Sequence, residues 1–172
     1  MTTYINLLGG PGAGKSTIAY GLVYTMNISG ISAELVPEFA KDLVWEKRHK
    51  TLDIQPYVSM KQFRNLKRLD GQVDYVVTDG CILKDAIYAK MYAPELEQSY
   101  YDLLLSLHKQ LGNSINILLE RKHAYSTTGR LQNEQEADSI HNSIKSYLSQ
   151  NNINYISCTS NLDDVLSVLG LR

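Results

Sequence analysis

The run Gly9-Gly10-Pro11-Gly12-Ala13-Gly14-Lys15-Ser16-Thr17 is the densest concentration of chemistry in the sequence. It fits the pattern G-x-x-x-x-G-K-[ST] without departure. Glycines let the main chain take positive φ and approach a polyphosphate closely, so that successive N–H groups turn inward. Lys15 brings a positive charge to the β- and γ-phosphates, and the Ser16 hydroxyl is a ligand for Mg²⁺. An apolar stretch, Tyr4-Ile5-Asn6-Leu7-Leu8, precedes the run, and a helical pattern from Thr17 to Asn27 follows it. Strand, turn and helix in that order place the positive end of the helix dipole on the anion. A chance glycine-rich turn lacks that context. ATP with Mg²⁺ is the expected cofactor pair.

Two carboxylates stand where such a site would use them. Asp79 ends the apolar run Tyr75-Val76-Val77-Thr78. A carboxylate at that point is expected to hold the Mg²⁺ shell together with Ser16, or else to cap the turn before Gly80. Glu38 follows Val36-Pro37, just past a second short strand. It could take the proton of a hydroxyl attacking the γ-phosphate, or simply suit the start of a helix. The segment 121–130 is irregular and rich in Ser, Thr and Gly, and it carries Arg121 and Arg130. A closing lid at about 121–134 with two arginines would exclude water and meet the charge of the transferring phosphoryl group. The alternative is a solvated basic loop.

The acceptor side is expected between the second and third strands, where Trp45, Tyr57, Gln62 and Phe63 could stack on and hydrogen-bond a ring. Lys61, Arg64 and Arg68 share one helical face by spacing. Arg64 is the substrate candidate of that set, and a solvated face is the alternative. The four histidines lack metal-ligand spacing.

The elements that must position these groups alternate in type. Strands are expected at 4–8, 33–36, 75–78, 115–119 and 154–157. Helices are expected at 17–27, 39–47, 56–69, 83–92, 95–110, 134–150 and 162–169. Such alternation predicts an α/β fold, a parallel sheet covered by helices on both faces, with ligands at the carboxyl ends of the strands. The 172 residues, with no repeat and no linker-like tract, read as one domain. Lys+Arg 17 against Asp+Glu 18 leaves a net charge of -1, so no global field attracts nucleic acid or an anionic membrane. Cys81 and Cys158 read as reduced core thiols. The N-terminal stretch has no basic region ahead of a long apolar one, and no later stretch approaches a membrane span, so a cytoplasmic protein is expected.

The segments LLGGPGAGKST, VPEFAK, VVTDGCILKDAIYAKMY and LLERKHAYSTTGRLQNEQEAD occur in the order seen in small P-loop kinases. From about Tyr4 to Asp138 the chain resembles the group that contains the ribosylnicotinamide kinase domain and kinase-like proteins of tailed phages. The 5-hydroxymethyldeoxyuridine DNA kinases of phages that hypermodify thymidine are among the latter. The resemblance implies a three-layer P-loop NTPase fold with strand order 2-3-1-4-5 and transfer of the ATP γ-phosphate to a hydroxyl. Glu38 matches the carboxylate base of deoxynucleoside kinases, and Trp45 and Gln62 match a Trp and a Gln that make them candidate base readers. Those kinases have an Arg soon after the third-strand acid, where this chain has Gly80-Cys81. A nucleoside-type acceptor is therefore expected, most sharply 5-hydroxymethyldeoxyuridine in DNA. A nucleoside monophosphate kinase and a regulatory NTPase or nucleotide sensor are the alternatives. Whatever the acceptor, Lys15→Ala should abolish phosphate transfer while leaving circular dichroism unchanged. Turnover within a few-fold of wild type would remove the phosphate-loop assignment.

Overall fold

The computed structural model describes residues 1–126 and 132–171. Five strands, β1 (Thr3–Leu8), β2 (Ala33–Val36), β3 (Tyr75–Thr78), β4 (Ser114–Glu120) and β5 (Ile156–Thr159), pair in parallel in the order β2-β3-β1-β4-β5. The described helices are α1 (Lys15–Ile28), α2 (Phe39–Trp45), α3 (His49–Leu52), α4 (Gln55–Lys67), α5 (Ile82–Tyr92), α6 (Gln98–Gln110), α7 (Glu134–Gln150) and α8 (Leu162–Val168).

Side chains alternate across the sheet, so each strand feeds two cores. Tyr4, Leu8, Val76 and Leu118 face a cluster completed by Leu66, Leu83, Leu104 and Ile144 from α4, α5, α6 and α7. Ile5, Leu7, Val77 and Ile117 face the other, closed by Leu22 of α1 and Val165 of α8. Parallel strands buried on both faces need near-continuous apolar runs, and β1, β3 and β4 have them. Within those runs Asn6 and Asn116 form a polar pair, directly opposite in register and joined by a 2.9 Å side-chain hydrogen bond. Asn116 in turn donates to the carbonyl of Asn154 at 3.0 Å.

Several boundaries differ from the sequence-based expectation, each for a local reason. Helix α1 starts at Lys15 because Gly14, with φ 79°, forms a left-handed N-cap inside the phosphate loop. Helix α2 stops at Trp45, since Lys47 turns left-handed (φ 56°) and the Arg48 N–H returns to the Leu43 carbonyl. His49–Leu52, after it, form a short helix of their own, α3. Strand β5 lies two residues later than expected, running to Thr159 until the Asn161 side chain caps α8. Helix α7 starts at Glu134 as expected, because Asn133 and Glu136 form a reciprocal capping box. No described helix is long and apolar enough to cross a membrane.

Candidate active site

The phosphate loop is built from turns only glycine makes cheaply: Gly9 has φ 137° and Gly12 φ 78°. Gly10 has an ordinary φ but no room, since a Cβ there would meet the Ala137 carbonyl and lie 3.1 Å from His141 Cβ. The Gly10 N–H donates to His141 Nδ1 at 3.3 Å, and His141 Nε2 lies 3.2 Å from Glu120. Helix α7 thus braces the loop from outside. Inside it, Lys15 Nζ donates to the carbonyls of Gly9 (2.9 Å) and Gly10 (2.8 Å).

Asp79 sits at the end of β3, 4% exposed. Its Oδ2 accepts from the Ser16 hydroxyl, and its Oδ1 accepts from the Glu38 N–H at 2.9 Å. A hydroxyl and a carboxylate side by side suit a hard cation such as Mg²⁺. Among the described residues no group of three or more His, Cys, Asp and Glu could hold a metal, so such a cation would complete its shell with phosphate oxygens and water.

The turn bearing Glu38 is pinned on both sides. Thr78 Oγ1 donates to the Val36 carbonyl at 2.7 Å. The Gln62 side chain accepts from the Phe39 N–H at 2.9 Å and donates to the Pro37 carbonyl at 3.2 Å. Gly80 packs directly beneath: a Cβ there would lie 2.6 Å from Gln62 Nε2 and 2.8 Å from Glu38 Cα. Any larger residue at 80 would displace the turn.

The Glu38 carboxylate meets Lys84 of α5, Oε1 to Nζ 2.5 Å. Lys84 is 2% exposed. Burial pulls its ammonium toward the neutral form, but Glu38 more than offsets that and holds its pKa above the usual lysine value. Beside it, burial pushes the Asp85 carboxyl up to about 7, against the pull of the Lys84 charge and the Ser59 hydroxyl.

One cavity of about 290 Å³ joins these parts. The phosphate loop from Pro11 to Thr17 lines one end. Glu38 and Lys41 stand between, and Trp45, Leu52, Gln55, Asp85, Tyr88 and Tyr92 line the other end. Tyr88 and Tyr92 stack with centroids 6.3 Å apart and planes 9° apart. Gln132, within the expected lid, donates to Tyr92 Oη at 2.9 Å, and Tyr125 donates to the Gln132 carbonyl at 2.7 Å. Tyr125 also packs on the phosphate loop, where a Cβ on Gly12 would meet its ring at 2.9 Å.

The residues expected from sequence divide accordingly. Gly9 to Thr17, Glu38 and Asp79 are brought together. Trp45 lines the cavity. Tyr57 does not; it sits edge-on to Phe39 at 5.8 Å. Gln62 is buried, and both ends of its amide bind main chain, so it positions Glu38 where a base contact had been expected. Arg64 is exposed, with Asn65 Oδ1 at 3.5 Å, and lies away from the cavity wall. Arg121 turns to α7, pairing with Asp138 (2.6 Å) and Glu134 (3.1 Å) and covering the Tyr125 ring at 5.2 Å. Arg130 falls outside the described residues. Lys84, Asp85, Gln55, Tyr88 and Tyr92 were not singled out from sequence. The available signal was a Lys-Asp pair embedded in the apolar run Cys81-Ile82-Leu83-Lys84-Asp85-Ala86-Ile87, since charges are rarely buried without a task.

The sheet order, the glycine-rich phosphate loop and the acid at the end of β3 define a P-loop protein with the fold of the small P-loop kinases. The chain belongs to the AAA domain family, which it matches over residues 4–164. No curated protein matches it. In fold it resembles the NadR protein in complex with NR (TM-score 0.67, 14% identity, 99% of this chain and 52% of that one). It also resembles thymidylate kinase from Ehrlichia chaffeensis (TM-score 0.62, 16% identity, 100% of both chains). A third likeness is to deoxyadenosine kinase from M. mycoides with bound dCTP (TM-score 0.57, 17% identity, 97% of this chain and 98% of that one). The chain spans about half the length of the NadR structures.

The buried pair generates a stability prediction. Glu38→Ala leaves Lys84 charged and uncompensated, which should cost ~3 kcal/mol in urea unfolding. Adding Lys84→Met should restore at least half of that loss. A double variant no more stable than Glu38→Ala would show that the two side chains are not energetically coupled.

Proposed function

We propose that the protein is an ATP-dependent kinase that transfers the γ-phosphate to a hydroxyl of a nucleoside-type acceptor. One observation carries the reading: the charge of the cavity changes sign along its length. Among the described lining residues, Lys15 and Lys41 are the only Lys or Arg side chains, Lys41 Nζ lying 3.4 Å from Ser16 Oγ, while Glu38 in the middle and Asp85 at the far end, among aromatic rings, present carboxylates. Lys84, next to Asp85 in α5, is already paired with Glu38. A nucleoside monophosphate would bring a dianion to the far end with no arginine among the described lining residues to receive it, which disfavours a monophosphate acceptor. A neutral nucleoside meets no such penalty.

In this reading the loop N–H groups and Lys15 hold the β- and γ-phosphates, Lys15 releasing its loop carbonyls to do so. Ser16 and Asp79 would ligate Mg²⁺, which neutralises charge as the phosphoryl group transfers. Glu38, held by Asp79 below and Lys84 beside it, accepts the proton of the attacking hydroxyl. The stacked Tyr88 and Tyr92 and the Trp45 ring suit a flat heterocycle. Arg121 and Arg130 are the lid groups that would reach the transferring phosphate on closure, Arg121 exchanging its carboxylate partners for it. The resemblance to phage kinases favours the 5-hydroxymethyl group of 5-hydroxymethyldeoxyuridine as the acceptor. In DNA, that nucleotide would have to leave the base stack to enter the cavity.

Glu38→Gln keeps the shape and removes the basicity. It should lower kcat for transfer to the best nucleoside acceptor by about 10²- to 10⁴-fold, with KM for ATP near wild type. A loss under about tenfold would remove Glu38 as base and, with it, the preference for a hydroxyl acceptor.

A further inference from the structure

We propose that His141 is a positioning residue for the phosphate loop, its Nδ1 holding the Gly10 N–H while Lys15 exchanges loop carbonyls for phosphate oxygens. This role rests on the reading of the loop as the ATP site and not on the identity of the acceptor. Hydrogen-bond geometry fixes where the imidazole carries its proton. A main-chain N–H can only donate, so the 3.3 Å bond from Gly10 makes Nδ1 the acceptor. In the neutral ring the proton is then on Nε2, which faces Glu120 Oε2 at 3.2 Å. Glu120 is held in turn, its Oε1 accepting from the Ser157 hydroxyl at 3.1 Å. A continuous path of hydrogen bonds therefore runs from β5 through β4 and α7 to the phosphate loop.

Packing leaves the imidazole little freedom to leave this path. Its side chain is 16% exposed, and α7 crosses the loop so closely that a Cβ on Gly10 would meet the Ala137 carbonyl. The loop turn needs such a tie. Gly9 has φ 137°, and a glycine has no side chain to hold that conformation. Lys15 Nζ secures the turn from inside by donating to the Gly9 and Gly10 carbonyls. In the proposed function both bonds are given up when the ammonium turns to the β- and γ-phosphates. Gly10 then keeps the Ala13 N–H on its carbonyl at 3.2 Å and His141 on its own N–H. The first bond lies within the loop. The second ties the turn to a separate helix, whose start is fixed by the capping box of Asn133 and Glu136. Without it, part of the free energy of ATP binding would go into ordering the turn.

The test compares two variants that each keep one half of the imidazole's bonding. His141→Asn places an amide oxygen close to the position of Nδ1, where it can accept from Gly10. His141→Gln places its amide near the position of Nε2, beside Glu120, and offers Gly10 no acceptor. His141→Gln should weaken equilibrium binding of ATP with Mg²⁺, and raise KM for ATP, by about fivefold, the worth of one hydrogen bond. KM for the acceptor should not change. His141→Asn should bind ATP within about twofold of wild type, and His141→Leu, which keeps neither half, at least as weakly as His141→Gln. Melting midpoints without nucleotide separate positioning from packing, since a packing role would lower the midpoint and leave ATP binding unchanged well below it. Equal ATP affinity in His141→Asn and His141→Gln would overturn the assignment of His141 and leave the ATP site standing. If wild type itself binds no ATP, the reading of the loop is refuted, and the role of His141 falls with it.

Discussion

One carboxylate ties the two halves of the site together. Asp79 takes the Ser16 hydroxyl on one oxygen and the Glu38 N–H on the other. The first bond belongs to the phosphate loop and the second to the turn that carries the candidate base. Because Asp79 stands at the end of β3, between β2 and β1 in the sheet, it fixes the distance between donor and acceptor sides through the most rigid part of the fold. Charge-assisted hydrogen bonds to a buried carboxylate are about twice as strong as neutral ones, so the bridge can hold this geometry. It can also be exchanged for metal coordination at the Ser16 end without releasing the Glu38 end.

The same crowding accounts for the chain's departure from the deoxynucleoside kinase pattern. An arginine soon after the third-strand acid would need space that Gln62 and the Glu38 backbone occupy, and Gly80 is the residue that fits. The positive charge enters one turn further along α5 instead, as Lys84. It comes from the side, buried, and meets Glu38 directly. The lysine is paired with the candidate base, so the far end of the cavity has no Lys or Arg among the described residues that line it. In the proposed function, that electrostatic consequence favours a neutral acceptor over a charged one.

Much of this was legible in the sequence because some residues announce their geometry locally. The phosphate loop is a contiguous pattern whose glycines have no other inexpensive purpose. Asp79 and Glu38 follow short apolar runs, and strand ends in a parallel sheet converge on one edge. Asn133 and Glu136 mark the start of α7 by a capping box. The rest depends on contacts between distant segments. Gln62 looks like a base reader by position, and only the pairing of α4 with the β2 turn reveals that its amide is consumed by main chain. Lys84 and Asp85 sit in a helix start that reads as core, and their partners lie 46 and 26 residues away in sequence, at Glu38 and Ser59. The brace from His141 to Gly10 spans 131 residues. Strand β5 was misplaced because Asn154 and Asn161 are both plausible turn residues, and the choice between them is made by Asn116 and by α8.

The central claim is that the γ-phosphate goes to an acceptor hydroxyl and not to water. Incubation of the protein with γ-labelled ATP, Mg²⁺ and a panel of deoxynucleosides, 5-hydroxymethyl-2′-deoxyuridine and DNA containing 5-hydroxymethyldeoxyuridine, following label and ADP together, decides between the two. The predicted result is a labelled phosphomonoester on an acceptor hydroxyl, formed in step with ADP and dependent on the acceptor. ADP and free phosphate appearing at the same rate with and without every nucleoside and DNA acceptor would contradict transfer to a hydroxyl and make the protein an NTPase.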